Sequence, residues 1–432
     1  MLQVRAVHFS FQFLVSWQRP ILGALLLVCT LAMRAAAEER PAAPQPDSGA
    51  AKPATVDPKS ATPADIQKWI RELNDDSYSI RQAAATRLLS AGPPAREALV
   101  ALAEGPDPET RAAARRLVAL IDRTDFNRRL EAFAADTDGK RGITLPGWDK
   151  FRKLVGSDPA ARALFVDMQR AEGALLASAF GVSGNPSDRL LEERLNRLLT
   201  WQVTAGNRTA SPPLGSCATM MFLGAVSEVE ISERGATSID ILVQRPPINE
   251  SLTAGGEKDA VRRLVVGWLL HCPNRSESSI QRRLNIVSGL NLKEALPLAV
   301  RIVRRDKEYA DASASLRSEA LLLIGQFGGR EHVGVVEPLL EDESLCMPRQ
   351  FVQPGQAATL QVRDVALLVL LHLTGQKPAE YGYQQAGPPR QQPFPLQFMI
   401  APTDDVRASA AAKWKEWREA DEGRGGDDKR RP

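Results

Sequence analysis

The sequence predicts an all-α fold, and three observations lead to this prediction. Apolar residues recur at helical spacing through most of the chain, as in Ile66, Trp69 and Leu73. Short turns rich in Asp, Gly and Pro separate these stretches, for example at 105–108. The 432 residues are 44% hydrophobic and 25% charged, which is the composition of a folded globular protein and not of a disordered or membrane-embedded one.

The first part of this fold is predicted as two helical hairpins. Thr62 is a good N-cap residue, Pro63 suits the first helical position and Asp65 suits the first turn, so we expect a helix over about 63–74. A second helix ends at 92–94, where Gly is followed by two prolines. A third and a fourth helix follow with the same short connections.

Five of the predicted helices open with the same string of residues. A turn is followed by an apolar residue, an arginine, two variable residues and an alanine, although Thr110 stands at the apolar position in the second case. The small alanine lets a neighbouring helix approach closely, and the arginine is placed to reach the acidic turn of the next unit. The pairs are Arg81 with Ala84, Arg111 with Ala114, Arg317 with Ala320, Arg363 with Ala366, and Arg407 with Ala410.

This string resembles the second helix of the HEAT-repeat family. The resemblance is best over residues 62–122 and 285–420, and we interpret 62–130 and 285–420 as N-terminal and C-terminal HEAT-like repeats. It implies a right-handed α-solenoid of helical hairpins, whose stacked repeats offer an extended surface to protein or peptide partners. The arginines and alanines of the string then have a structural role and join successive units.

Between these parts, residues 131–284 are predicted as a helical middle region of degenerate repeats. Helical spacing is clear over 145–176 and 188–201. The β-branched alternation over 226–243 favours either a small hairpin or a further degenerate repeat.

Later in the chain, helices are predicted over 292–303, 316–327 and 362–373. The proline-rich residues 384–402 predict a long loop before the last helix. The charged, Gly-rich residues 421–432 predict a disordered tail.

The first 37 residues predict export. They contain three arginines, no acidic residue and an apolar run at 21–33, and the alanines at 35–37 suit signal-peptide cleavage. At about 1.5 Å per residue the run covers roughly 20 Å, less than the roughly 30 Å of a bilayer core. We therefore expect a signal peptide over 1–37, a Pro/Ala-rich linker over 38–61, and a mature protein in the bacterial periplasm or cell envelope. An uncleaved leader that anchors the chain in the membrane is the alternative.

The charge of the predicted mature chain argues against nucleic acid as a partner. Removing the three leader arginines from 55 basic residues leaves 52, which equals the 52 acidic residues. A membrane contact is expected only through an uncleaved leader.

One loop and a few dispersed side chains are the candidates for chemistry. Residues 136–143 resemble the start of a calcium loop, but Lys140 and Arg141 occupy positions that need a ligand and a glycine. His271 has no second metal ligand at a suitable spacing, and Cys217 lies near a predicted helix start, where a thiol pKa can fall. We expect no metal and no cofactor, and we interpret 136–143 as a polar loop between helices.

The sequence contains none of the common motifs for a nucleophilic serine, a phosphate loop or a zinc protease. The predicted function is a non-enzymatic scaffold for a protein or peptide partner. The alternative is an enzyme or ligand-binding protein with a site in residues 130–280. A groove with exposed aromatic side chains favours the scaffold, whereas a closed pocket that gathers His271 or Cys217 with carboxylates favours the alternative.

Overall fold

The computed structural model describes most of the chain after the predicted linker. The described ranges are 61–181, 188–201, 203–205, 208–226, 229–254, 259–273, 276–346, 360–385, 399–400 and 402–428. The predicted signal peptide and almost all of the linker lie outside them. Helices dominate these ranges, which confirms the all-α class. No helix within them is long and apolar enough to span a bilayer.

The described chain carries seventeen α-helices. The first nine are α1 (Pro63–Glu72), α2 (Tyr78–Ala91), α3 (Pro93–Leu102), α4 (Pro108–Ala135), α5 (Trp148–Val155), α6 (Pro159–Phe180), α7 (Asp188–Leu199), α8 (Leu214–Ala225) and α9 (Glu233–Val243). The others are α10 (Ile248–Ala254), α11 (Ala260–His271), α12 (Glu277–Gly289), α13 (Leu296–Val303), α14 (Ala314–Phe327), α15 (Val333–Val336), α16 (Val362–Leu373) and α17 (Asp404–Asp428).

Short 3-10 turns and strands supplement the helices. The 3-10 turns are Lys293–Ala295, Lys307–Tyr309, Arg330–His332, Glu337–Glu341 and Pro378–Tyr381. The antiparallel pairs are β1 (Val203–Ala205) with β2 (Arg208–Ala210), and β3 (Gln384–Gln385) with β4 (Met399–Ile400).

The first helix begins at the residue that the sequence predicts. The Thr62 hydroxyl accepts a hydrogen bond from the Asp65 backbone N at 3.2 Å, and the Thr62 backbone N donates to the Asp65 carboxylate at 3.0 Å. This reciprocal capping satisfies two backbone donors that a helix start leaves without partners. At the other end of the hairpin, Gly92 adopts a φ of 67° and ends α2.

The four N-terminal helices have a hydrophobic core of their own. Within each hairpin α1 packs on α2 and α3 on α4, and between the hairpins α1 contacts α3 while α2 contacts α4. Trp69, Leu88 and Leu99 are buried in this core. The predicted boundary at residue 130 falls inside α4, whose last turns place Leu130 and Phe133 in the second core. The helix continues across the boundary because residues 109–135 contain neither Gly nor Pro.

Helix α8 lies at the centre of the middle region. Every residue from Gly215 to Ala225 is buried, and α8 contacts α6, α7, α9, α10 and α11. A Cβ on Gly215 would lie 2.2 Å from the Asp167 carbonyl oxygen, so α6 and α8 pack very closely at this point. The predicted degenerate repeats are therefore helical, but they surround one central helix instead of stacking in pairs.

The described residues of the alternation over 226–243 do not form a hairpin. Most of it is helix α9, whose buried face includes Ile239, Leu242 and Val243. The β pair of the middle region lies earlier, at 203–210. Long-range packing against α7, α8 and α12 explains why helix overrides the β propensity of these residues.

The C-terminal helices contact one another in two rows. Helix α13 contacts α11 and α15 in the first row, and α14 contacts α12 and α16 in the second. The predicted helix over 292–303 begins as a 3-10 turn, and the predicted buried helix over 362–373 is α16.

The final helix extends into the predicted tail. Helix α17 continues to Asp428, and Asp421, the first residue of that tail, accepts a hydrogen bond from Arg330 at 2.6 Å. The predicted tail therefore does not begin at residue 421. Of the predicted long loop, residues 386–398 and 401 lie outside the described ranges.

Candidate functional site

The predicted motif alanines are core residues. Ala84, Ala114, Ala320 and Ala366 are fully buried and Ala410 is 1% exposed. Their methyl groups occupy the helix contacts for which a small side chain was expected.

In the N-terminal hairpins the motif arginines bind the turn that precedes their own helix. Arg81 Nη1 donates to the carbonyl oxygens of Asp75 and Asp76 at 2.8 and 3.0 Å. Arg111 makes the same pair of bonds one unit later, at 3.1 and 2.7 Å. These bonds satisfy carbonyl groups in the loop between the helices. The predicted contact with the next unit is weak, since Arg81 lies 3.9 Å from the exposed Glu109 carboxylate.

The contacts of Thr110 explain why a polar residue stands at the apolar position of the repeated string. Its side chain is buried, and its hydroxyl hydrogen bonds to the Asn74 side-chain oxygen at 2.9 Å. The polar residue at this position therefore joins the turn of the preceding unit.

In the C-terminal part the predicted link between units is present. Arg317 is 5% exposed and donates to the Asp342 carboxylate, with Nη2 at 2.8 Å from an oxygen. It also donates to the Ala312 carbonyl oxygen of its own preceding turn. Arg363 pairs with Glu343 at 2.7 Å and lies 3.8 Å from Asp404 in the next unit.

Arg407 binds in the opposite direction, to the unit before it. Its Nε and Nη2 donate to the two oxygens of Asp364 at 3.0 Å each. The Tyr383 hydroxyl donates to the same carboxylate at 2.9 Å, and Asp364 is fully buried. Burial, with the nearby Asp364 charge, raises the pKa of the Tyr383 phenol. This cluster joins α16 to α17.

Two further arginines, which the repeated string does not include, also bind an acidic residue of a neighbouring turn. Arg262 is 9% exposed and donates to the Glu294 carboxylate at 2.9 and 3.0 Å. Although partial burial opposes it, these bonds lower the pKa of the Glu294 carboxyl. Arg162 donates to the Phe133 carbonyl at 3.0 Å and lies 3.4 Å from the buried Asp136 carboxylate.

A wider search string would have found both residues. Each follows an N-cap aspartate, Asp158 or Asp259, but Phe165 and Val265 stand where the string requires alanine. In this chain an arginine shortly after an acidic turn therefore identifies these residues better than the full string with its alanine does.

The calcium-like segment is a polar loop between α4 and α5, as predicted. Asp136 accepts from the Arg141 backbone N at 3.1 Å as well as pairing with Arg162. Asp138 pairs with Lys140 at 2.9 Å. Among the described residues, no group of three His, Cys, Asp or Glu side chains is arranged to hold a metal ion.

The three cysteines of the described ranges are buried as thiols. Cys217 lies in the first turn of α8, as expected from the sequence, but burial raises its pKa to about 12. The Arg194 charge opposes this shift without cancelling it, so the thiol is not activated. Cys272 and Cys346 are also buried.

Glu319 gives the C-terminal helices a pH-dependent stability. It lies on α14 next to the fully buried Ala320, and desolvation raises its pKa to about 7. The folded protein therefore binds a proton more tightly here than the unfolded chain, whose glutamate pKa is near 4.5. The resulting stability is present below the unfolded pKa and is lost as pH rises through about 7.

We expect Glu319→Gln to remove this dependence. The variant should melt with the parent at pH 4 and about 2 to 4 °C above it at pH 8, after allowance for partial solvent screening. Thermal melts at both pH values measure the difference. Glu97→Gln, on the exposed side of α3, is the control and should follow the parent at both pH values. An equal response of the two variants would contradict the role of Glu319.

An open groove lies along α2 and α4 in the N-terminal hairpins. Its volume is about 520 Å³. The exposed fractions of its apolar side chains are 71% for Tyr78, 37% for Leu89 and 47% for Leu120. Asp75, Asp76 and Glu109 line it at the end where both helices begin, and Arg81 lines the same end, so three carboxylates face one guanidinium there. The groove thus combines an apolar floor with one acidic end.

No family model, curated protein or solved structure matches the chain. The resemblance to HEAT repeats therefore depends on the repeated string and on the helix contacts.

Proposed function

We propose that this protein is an exported, non-enzymatic scaffold that binds a protein or peptide partner. In this proposal the paired helices form a HEAT-like right-handed α-solenoid, which the helices around α8 interrupt. The leader directs the chain to the periplasm or cell envelope. The neutral charge of the mature chain disfavours a nucleic-acid partner.

The pattern of helix contacts supports the solenoid. In both terminal parts, alternate helices contact each other, so that each hairpin packs on its neighbour through two rows. Buried motif alanines lie in the second row, and arginines join the turns. Stacked hairpins of this kind are held by contacts between neighbours and present long grooved surfaces.

The groove along α2 and α4 is the observation that carries the binding proposal. Tyr78, Leu89 and Leu120 expose apolar surface within a single depression. Clustered apolar surface of this kind is typical of interaction sites, and tyrosine is common at their energetic centres.

The shape and charge of the groove favour an amphipathic helix as the occupant. Two helices that run side by side leave a depression in which a third helix can place its apolar face. Asp75, Asp76 and Glu109 outnumber Arg81 at one end of the groove, and this excess of acidic groups complements a basic residue on the partner. We therefore infer a helical segment with apolar residues at positions i, i+3, i+4 and i+7 and a basic residue near one end.

A displayed library of amphipathic helical peptides, selected on the full-length protein, tests this proposal. We expect selected peptides to carry that apolar spacing and a terminal Lys or Arg. Tyr78→Ser combined with Leu120→Ser should weaken their binding by about 10- to 100-fold, because central apolar contacts dominate such interfaces.

The matched control is Ile80→Ser combined with Val100→Ser. These side chains are each 41% exposed on α2 and α3 but do not line the groove. Peptides that bind both double variants with the affinity of the parent protein would contradict the proposal.

A further inference from the structure

The two walls of the α2–α4 groove match each other along its length. Each wall places one residue at positions i, i+4, i+7 and i+11 of its helix, a spacing that brings all four to one face. The residues are Tyr78, Gln82, Ala85 and Leu89 on α2, and Glu109, Ala113, Arg116 and Leu120 on α4. Because both helices begin at the same end of the groove, each residue of α2 has a counterpart on α4 at the same level.

Arg116 is an exposed cation at the third of these four levels. Its side chain makes no ion pair and no hydrogen bond with another of the described residues. Arg81, by contrast, is held at the acidic end by the carbonyl oxygens of Asp75 and Asp76, and it lies 3.9 Å from the Glu109 carboxylate. At about 1.5 Å per residue, Arg116 lies roughly 10 Å along α4 from Glu109. The groove therefore presents an excess of carboxylates at one end and a separate guanidinium roughly 10 Å further along.

We propose that Arg116 selects among helical partners by pairing with an acidic residue seven positions from the partner's basic residue. This inference rests on the proposed function, which assigns the groove to an amphipathic helix. Seven residues of a helix advance about 10 Å and complete about two turns. The two charged residues of the partner therefore lie on the same side of its apolar stripe, the side that faces α4, and they are as far apart as Glu109 and Arg116.

The charge of Arg116 favours a carboxylate at this position of the partner and opposes a second cation. A bound helix covers the groove and removes water from the guanidinium, which then needs an acceptor in place of that water. A carboxylate supplies two oxygens in the geometry that an arginine binds best. A lysine at the same position would bring two positive charges together. Charged groups at an interface act mainly on specificity in this way.

Selection of one displayed library of helical peptides on the parent protein and on Arg116→Glu tests this inference. We expect peptides from the parent to carry Glu or Asp seven positions from the terminal Lys or Arg. Peptides from Arg116→Glu should carry Lys or Arg at that position instead, and their binding would show that the variant is folded. Arg123→Glu is the matched control, because Arg123 is an exposed cation further along α4 that does not line the groove. It should select the same residues as the parent.

Fluorescence anisotropy with two synthetic peptides that differ only by Glu or Lys at this position measures the size of the effect. The Glu peptide should bind Arg116→Glu about tenfold more weakly than it binds the parent, and the Lys peptide should show the reverse order. Both differences should shrink as salt is added, because the pair stays close to solvent at the rim of the groove.

The outcome separates this inference from the proposed function. Peptides that keep the apolar spacing but carry the same residue at this position from the parent and from Arg116→Glu would overturn the role of Arg116 and leave the helix-binding groove standing. Failure to select any helical peptide on either protein would contradict the groove as a binding site and the inference with it.

Discussion

Asp240→Asn is expected to lower the free energy of unfolding by about 3 to 5 kcal/mol, the largest effect of any substitution considered for this chain. Asp240 and Arg283 are both fully buried and lie 3.4 Å apart, between α9 and α12. The Trp268 indole donates to the same carboxylate at 2.9 Å. The asparagine retains an acceptor for Trp268 but removes the Asp240 charge from beside a fully buried guanidinium, and an arginine stays protonated in proteins.

Urea unfolding measures this loss, and Asp122→Asn is the matched control. Asp122 forms an exposed pair with Arg96 at 2.6 Å, and Asp122→Asn removes the same charge as Asp240→Asn. The control should therefore lower the free energy of unfolding by only about 0 to 1 kcal/mol. Equal losses in the two variants would show that the buried pair has no special role in stability.

Replacing the other member of the pair, in Arg283→Met, should give a stability with a different pH dependence. Burial raises the pKa of the Asp240 carboxyl and the Arg283 charge lowers it, so removing Arg283 leaves the effect of burial unopposed by that charge. A raised folded pKa means that stability is lost as pH rises, so Arg283→Met should regain stability in acid by protonating Asp240. Asp240→Asn has no carboxyl to protonate and should not regain it.

The second large effect is expected for Arg407→Ala, at about 3 kcal/mol. The substitution leaves the buried Asp364 with the Tyr383 hydroxyl and the Gln361 backbone N but without its cation. Because Arg407 joins α17 to α16, α17 should lose protection from hydrogen exchange before α14 does.

Arg96→Ala is the control for this experiment, since it removes an arginine from an exposed pair. It should cost about 0 to 1 kcal/mol and leave the exchange of α17 unchanged. Parent-like protection of α17 in Arg407→Ala would contradict the proposed link between the last two units.

The parts of the fold that the sequence predicted are those set by neighbouring residues. The cap at Thr62 depends on Asp65 three positions away, and the end of α2 depends on one glycine. The motif alanines were found because a helix brings residues at fixed spacing to one face. Local rules of this kind can be read from one sequence.

The rest depends on contacts between distant segments. Asp240 and Arg283 are 43 positions apart, and no spacing rule connects them. The role of α8 as a central helix follows from the five helices around it, and the exposure of Tyr78 follows from how two hairpins stack. The α2–α4 groove could therefore not be predicted from the sequence, although the helices that form it were mostly anticipated.

Site-specific photo-crosslinking tests the proposed binding function most directly. The full chain, leader included, carries a photo-reactive phenylalanine analogue at Gln82 in the α2–α4 groove, or at Val100 on α3 as the reference position. In the native host we expect a discrete protein adduct from position 82, its loss on adding Tyr78→Ser and Leu120→Ser, and no such adduct from position 100. The same adduct from both positions, or from position 82 regardless of those substitutions, would contradict a partner bound in this groove.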